Sequence, residues 1–164
     1  MEATLYEERM LSRWNVAIMA IVVFALLAAL LYQLIVGPLG TEPAPNSFLI
    51  GMVLFFIALG INFAILTVRV RVDGVTVGYG IIRQHVEWGN IVGCRLDDVS
   101  AVRYGGWGIR TACVGGKRRL VYNILVAPRV VVEKRTGKHQ ELVFSTRNPE
   151  AAMKAINEGL GKRS

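Results

Sequence analysis

Two stretches of this chain, residues 14–36 and 47–68, carry no charged side chain over 23 and 22 positions. A bilayer's hydrocarbon core is ~30 Å thick, and about 20 helical residues cross it. Each stretch is long enough to span. Only ten residues, 37–46, join them, and three of those are proline and two glycine. The pattern predicts a membrane α-hairpin of two transmembrane helices. On this reading 1–13 is a cytoplasmic tail, 14–36 and 47–68 are the helices, 37–46 is a short external loop, and 69–164 is a domain. The first stretch is too long for a signal-peptide core, and no small-residue cleavage site follows it.

Orientation follows from the basic residues. Arg9 and Arg13 precede the first stretch, none lies between the two, and Arg69 and Arg71 follow the second. The positive-inside rule then puts both termini and the domain on the cytoplasmic side of the cell membrane. Residues 69–164 hold 17 of the 19 basic residues and 8 of the 12 acidic ones, a balance of +9. That excess has two open readings: topogenic charge, or a surface for an anionic lipid or acidic partner.

Among the few polar residues of the spans are three amides, Asn15, Gln33 and Asn62. No ionisable group sits at mid-bilayer depth, where a proton or ion path would need one. Small residues at four-residue spacing, Ala25 with Ala29 and Gly60 with Ala64, are candidates for close helix packing. The tail before Trp14 admits either an interfacial helix or a frayed end.

Residues 76–80 read TVGYG, the potassium-channel filter string. A filter needs that loop to enter the membrane between two spanning helices. Here the string follows both spans, and the ten-residue connection is too short for a pore helix and filter. Strand pairing explains the string instead, with a two-residue turn expected at Asp73-Gly74.

From Val68 the apolar period becomes two. Strands are expected over 68–72, 75–79, 82–88, 91–97, 120–126, 129–134 and 140–144, with Val92, Cys94 and Leu96 inward and Arg95 and Asp97 outward. Residues 104–110 read as a glycine-rich loop with two aromatics, and 115–119 as a turn carrying a basic cluster. Asn148, Pro149 and Glu150 open a C-terminal helix as N-cap, first helical position and acidic first turn. The result is a mainly-β barrel or sandwich with one helix.

Three strings in this order resemble the bacterial pleckstrin-homology-like domains of small prokaryotic membrane proteins. They are Trp88-x-x-Ile91, Gly106-Trp107-Gly108-Ile109-Arg110, and Ser145-Thr146-Arg147-Asn148-Pro149-Glu150. The resemblance covers most of 69–160. It implies a seven-stranded, strongly bent sheet capped by a C-terminal helix, and it carries over no catalytic residue.

Among possible contact residues, Trp107 and Arg110 admit two roles: insertion of the indole at the interface with the guanidinium on a phosphate, or closure of the barrel end. We favour closure. Lys117, Arg118 and Arg119 are the head-group candidates, together worth about 3 kcal/mol at an anionic surface before screening. No nucleophile–base pair, P-loop or zinc motif is present in the sequence, so neither a reaction, a metal nor a cofactor is expected. Cys94 and Cys113 read as free thiols. Aromatic and basic residues are not interleaved as a single-strand platform requires, so nucleic acid is not an expected partner. The sequence points to a membrane-anchored, non-catalytic interaction module engaging a membrane protein or further copies of itself. The alternative is a sensor of anionic lipid.

Overall fold

The computed structural model describes residues 4–161, apart from the side chains of residues 101 and 102. It divides into two compact units. One is the segment 12–64; the other combines the N-terminal residues up to Leu11 with everything from Ile65 onward.

The first unit is a helical hairpin of α1 (Arg13–Ile35) and α2 (Asn46–Phe63). Both helices are long and apolar enough to cross a membrane. Two of the three amides fasten their ends. At one end Asn15 Nδ2 donates to Phe63 O at 3.2 Å, beside a Ser12 N–H to Ala64 O bond of 2.7 Å. At the other, Gln33 Nε2 donates to Ala44 O and to Asn46 Oδ1, both at 3.2 Å. Such side-chain bonds satisfy polar groups that hydrocarbon would leave bare. Gly60 lets the helices close, because a Cβ there would stand 3.3 Å from Met19 Cβ. Ala64 joins Gly60 along the same groove. Ala25 is exposed and Ala29 half-buried.

The second helix is shorter than its apolar run. It ends at Phe63, and residues 65–68 begin a strand. Leu66 and Val68 are apolar because they face a protein core, which a charge-free count does not distinguish from lipid.

Among the described residues the second unit holds nine strands: β1 (Thr4–Leu11), β2 (Ile65–Arg71), β3 (Gly74–Tyr79), β4 (Ile82–Glu87), β5 (Ile91–Leu96), β6 (Gly108–Val114), β7 (Lys117–Asn123), β8 (Arg129–Lys134) and β9 (Glu141–Ser145), then α3 (Pro149–Gly161). They form a four-stranded antiparallel sheet, β1-β2-β3-β4, and a five-stranded sheet ordered β5-β8-β9-β7-β6. In the latter only β7 and β9 run parallel. Leu66, Val68, Val70, Val75, Val77 and Tyr79 from the first sheet are fully buried, as are Val130, Val132, Leu142 and Phe144 from the second. Ala152 and Ile156 of α3 complete this core, and Trp88 packs so closely on Gly159 that any Cβ there would overlap its ring. Asn148 caps α3 as expected, accepting the Ala151 N–H at 3.1 Å.

Strand β1 corrects the reading of the N-terminus as a tail. It pairs with β2 from Leu11↔Ile65 to Thr4↔Arg71, and its Met10 is only 2 % exposed. Glu8 ties β1 to the start of α3. Its carboxylate accepts Tyr6 Oη at 2.7 Å, Thr146 Oγ1 at 2.6 Å and the Arg147 N–H at 3.0 Å. No alternation over a full strand announces β1, since Glu7, Glu8 and Arg9 lie side by side.

Three further differences concern turns and edges. Four residues, 71–74, separate the closing Val70↔Val75 pair, so the first hairpin is wider than a two-residue Asp73-Gly74 turn. Residues 108–114, the first three of which are expected in the glycine-rich loop, form β6. On edge strand β5 the expected facing holds but the burial does not. Cys94 and Leu96 pair with the core residues Val132 and Val130, and Cys94 Sγ reaches Met153 O of α3. Yet Val92 and Leu96 are exposed at the edge, while Asp97, on the outer face, is fully buried. The TVGYG string is β3 and its turn, and Gly78 is required there because a Cβ would lie 2.5 Å from Arg83 Cα.

A 65–164 fragment, without residues 1–11, is expected to aggregate, because β2 becomes an open edge and the Met10 site, worth about 1.5–3 kcal/mol, is emptied. A chain joining residues 1–11 to 65–164 by a short linker is expected to melt cooperatively; circular dichroism of the two chains checks this. A second outcome concerns alkali. Burial pushes the Tyr6 hydroxyl up from 10.0 to about 12. A raised folded value means stability is complete below pH 10 and falls as pH rises towards 12. Tyr6→Phe is expected to flatten that fall in urea titrations taken across the window.

Candidate functional site

Along β7, consecutive residues point to opposite faces of the sheet. Lys117, Arg118 and Arg119 therefore cannot act as one basic patch, and the structure divides them between two environments.

The outer face of the five-stranded sheet receives Lys117 and Arg119. Arg119 is buried, and its Nε stands 2.5 Å from Glu141 Oε2 while its Nη1 reaches Asp97 Oδ1 at 3.3 Å. Arg129 Nε donates to the other Asp97 oxygen at 2.8 Å. Glu141 Oε1 also accepts Arg95 Nη2 at 3.2 Å and faces Lys117 Nζ at 3.5 Å, and Glu133 pairs with both of those cations. Four cations and three carboxylates alternate across four strands and the loop after β5. Pairing of this kind is what permits charge to stay buried.

The network holds down the segment between β5 and β6. Arg129 Nη2 donates to Val99 O, Asn123 Nδ2 donates to Gly106 O, and Tyr104 Oη donates to Asp97 at 3.0 Å while accepting from Arg119. Tyr104 thereby covers Val121, Val131 and Val143, a second small core on this face. Its hydroxyl is raised above the ordinary tyrosine value, first by burial. Every polar atom here serves cohesion. Arg119 is thus withdrawn from any head-group role, because its guanidinium is enclosed, and Lys117 is engaged with two carboxylates.

Arg118 points to the other face, where a cavity of about 360 Å³ opens at the end of the sheet. Thr111, Ala112 and Cys113 of β6 form one wall, Arg118 another, and Lys138 and His139 of the β8–β9 turn a third. No carboxylate lines it, and neither Arg118 nor Lys138 has a carboxylate partner among the described residues. His139 is held below the ordinary histidine value, first by burial and then by the charges of Lys134, Lys138 and Arg118. The arrangement is a concave, positively charged recess with hydroxyl, thiol and imidazole groups along its walls. Chemically it suits a phosphate or carboxylate group. Thr111, Cys113, Lys138 and His139 went unremarked as site residues in the sequence; reading β6 and β7 as a strand pair would have brought all but the turn residues together.

Trp107 and Arg110 lie at the opposite end of the β6–β7 hairpin. The indole is half-buried, and Arg110 Nε donates to the Trp107 carbonyl at 3.3 Å. Gly105, Gly106 and Gly108 around the tryptophan all adopt positive φ, which only glycine does without strain. From Asn123 to Lys117 is six residues along β7, or roughly 20 Å, so these two residues and the basic recess cannot contact one ligand.

Among the described residues no group of three or more His, Cys, Asp or Glu is arranged to hold a metal ion. Cys94 and Cys113 are free, and burial raises the Cys94 thiol. Comparisons with family models, with curated proteins and with solved structures found no match for this chain.

Asp97→Ala leaves Arg119 and Arg129 buried without their shared carboxylate, and is expected to lose about 3–5 kcal/mol of stability. Arg118→Ala is expected to change stability by less than about 0.5 kcal/mol. Chemical denaturation of the two variants separates the cohesive network from the recess.

Proposed function

We propose that this protein is a membrane-anchored, non-catalytic interaction module, with the helical hairpin as anchor and the β domain as platform. The observation that carries this reading is the connection between the two. The hairpin is the loop between paired strands β1 and β2, separated from them by Ser12 on one side and Ala64 on the other. A domain held by two such joints keeps station at whatever surface the helices cross. The pairing of β1 with β2 also requires residues 4–11 and 65–161 to share one side of the bilayer, in agreement with an even number of spans. The distribution of Arg9, Arg13, Arg69 and Arg71 makes that side the cytoplasmic one.

We extend the reading to a pleckstrin-homology-like domain on the succession of antiparallel strands closed by one C-terminal helix. The seven strands that would form its sheet are β1–β4 with β5, β8 and β9, so β1 takes a place that the resemblance over 69–160 gave to β7. The β6–β7 hairpin is then an addition between β5 and β8, and it carries the basic recess. Platforms of this kind bind rather than react, and function resides in the added surfaces.

We assign the recess at Arg118, Lys138 and His139 to an acidic or phosphorylated group on a protein partner, another chain type or a further copy of this one. The anionic-lipid alternative, which draws on Lys117, Arg118, Arg119 and Arg110, is the weaker reading, since carboxylates already match Lys117 and Arg119. Crosslinking in native membranes is expected to capture a partner or an oligomer, and Arg118→Glu with Lys138→Glu to lose that product without lowering the melting temperature. Recovery of monomer alone would overturn the reading.

A further inference from the structure

The domain shows two side chains whose exposure its own packing does not explain. Ile81 is 90 % exposed at the β3–β4 turn, and Val126 is 94 % exposed in the β7–β8 connection. Val126 also has φ +69°, where a β-branched residue is strained and glycine or asparagine would sit more easily. Neither side chain contributes to a core, so stability of the fold does not call for an apolar residue at either position.

The two loops belong to one end of the domain. Across the first sheet, Met10, Leu66, Tyr79 and Ile82 form a single row of partners. The next step outward holds Leu11, Ile65 and the Gly80-Ile81 turn, so Ile81 stands level with the residues through which the chain departs for α1 and returns from α2. Tyr79 Oη donates to Asn123 O at 3.1 Å, which brings the end of β7 to the same place. Val126 follows three residues later, and Trp107 precedes Gly108, the partner of Asn123. Each side of this end has an exposed arginine bonded to its own loop: Arg83 Nε donates to Gly80 O, and Arg110 Nε to Trp107 O.

We infer that this end is a lipid-facing rim, in which Ile81, Val126 and Trp107 enter the bilayer interface while Arg83 and Arg110 lie at phosphate level. The inference rests on the membrane reading proposed above and adds a second attachment to it. Its occupant is lipid because Leu11 and Ile65 sit one residue from the helices. If those helices enter hydrocarbon, chain connectivity holds the end bearing them within a few ångströms of the bilayer boundary. Aliphatic tips with a tryptophan and flanking arginines are the composition that interface favours. Two loops and the hairpin joints then fix the tilt of the domain, and with it the direction in which the basic recess faces.

The full chain, with Cys94 and Cys113 replaced by serine, would be reconstituted in phosphatidylcholine–phosphatidylglycerol vesicles. Single cysteines at Ile81→Cys, Val126→Cys, Val92→Cys and Phe24→Cys would carry an environment-sensitive fluorophore. Val92 is exposed near the opposite end of the domain, and Phe24 is exposed on α1. Labels at 81 and 126 are expected to shift to the blue, to be quenched by head-group nitroxide lipid and to lose quenching by aqueous iodide. The label at 92 should do the reverse. Should 81 and 126 behave like 92 while 24 is quenched by acyl-chain nitroxide, the rim is overturned and the anchor stands. A blue shift without lipid quenching means that protein covers the loops, and it too overturns the assignment. Failure of lipid to quench the label at 24 removes the anchor, and the rim with it.

Discussion

The pairing of β1 with β2 is the constraint on which the rest of this molecule depends. Strand β1 lies before the helical hairpin in sequence, yet it belongs to the domain that follows it. Its ladder brings together the two ends of a 53-residue excursion, residues 12–64. Closing a loop of that length costs entropy, but the cost rises only with the logarithm of length. The hairpin's internal helix packing, its polar fastenings at Asn15 and Gln33, and the burial of Met10 and Tyr6 offset it. Glu8 extends the same constraint to the far end of the chain by bonding at the entrance to α3. First and last elements of the domain therefore meet, and the helices leave through one seam.

Charge in the domain is divided by strand alternation. One face of β7 sends Lys117 and Arg119 into a network with Asp97, Glu133 and Glu141, where every charge has an opposite neighbour. The other face sends Arg118 to a recess that contains no acid. Buried cations must be matched because desolvation is severe; cations at a wet, open recess need no partner and retain their field. The first set accordingly holds the 97–107 segment on the sheet, and the second lines an open recess with no carboxylate among its lining residues.

Much of this was legible in the sequence, and the failures share a cause. Two apolar helices, a switch to period two, seven strands and the Asn148-Pro149-Glu150 helix start all follow from local composition, and all are present. The end of α2 was missed because Leu66 and Val68 are as apolar as a span. The first strand was missed because Glu7, Glu8 and Arg9 hide its alternation. The basic cluster was misjudged because adjacency along a chain says little about adjacency on a strand. At edge strand β5, the burial of Asp97 was missed because this sheet is covered on both faces, and a cover over the outer face is invisible to a two-state pattern.

By itself the sequence determined that the chain has two uncharged stretches long enough to span as helices and a basic β-rich domain beyond them. These are properties of length, charge and short-range periodicity, which neighbouring residues fix among themselves. Only the tertiary structure decided that the N-terminal residues complete that domain, that Arg119 is a core residue while Arg118 is a surface one, and that Ile81, Val126 and Trp107 gather at one end. Those facts depend on pairings between residues far apart in the chain, such as Glu8 with Thr146 and Tyr79 with Asn123. No local propensity encodes such a pairing; the shared burial of both partners selects it.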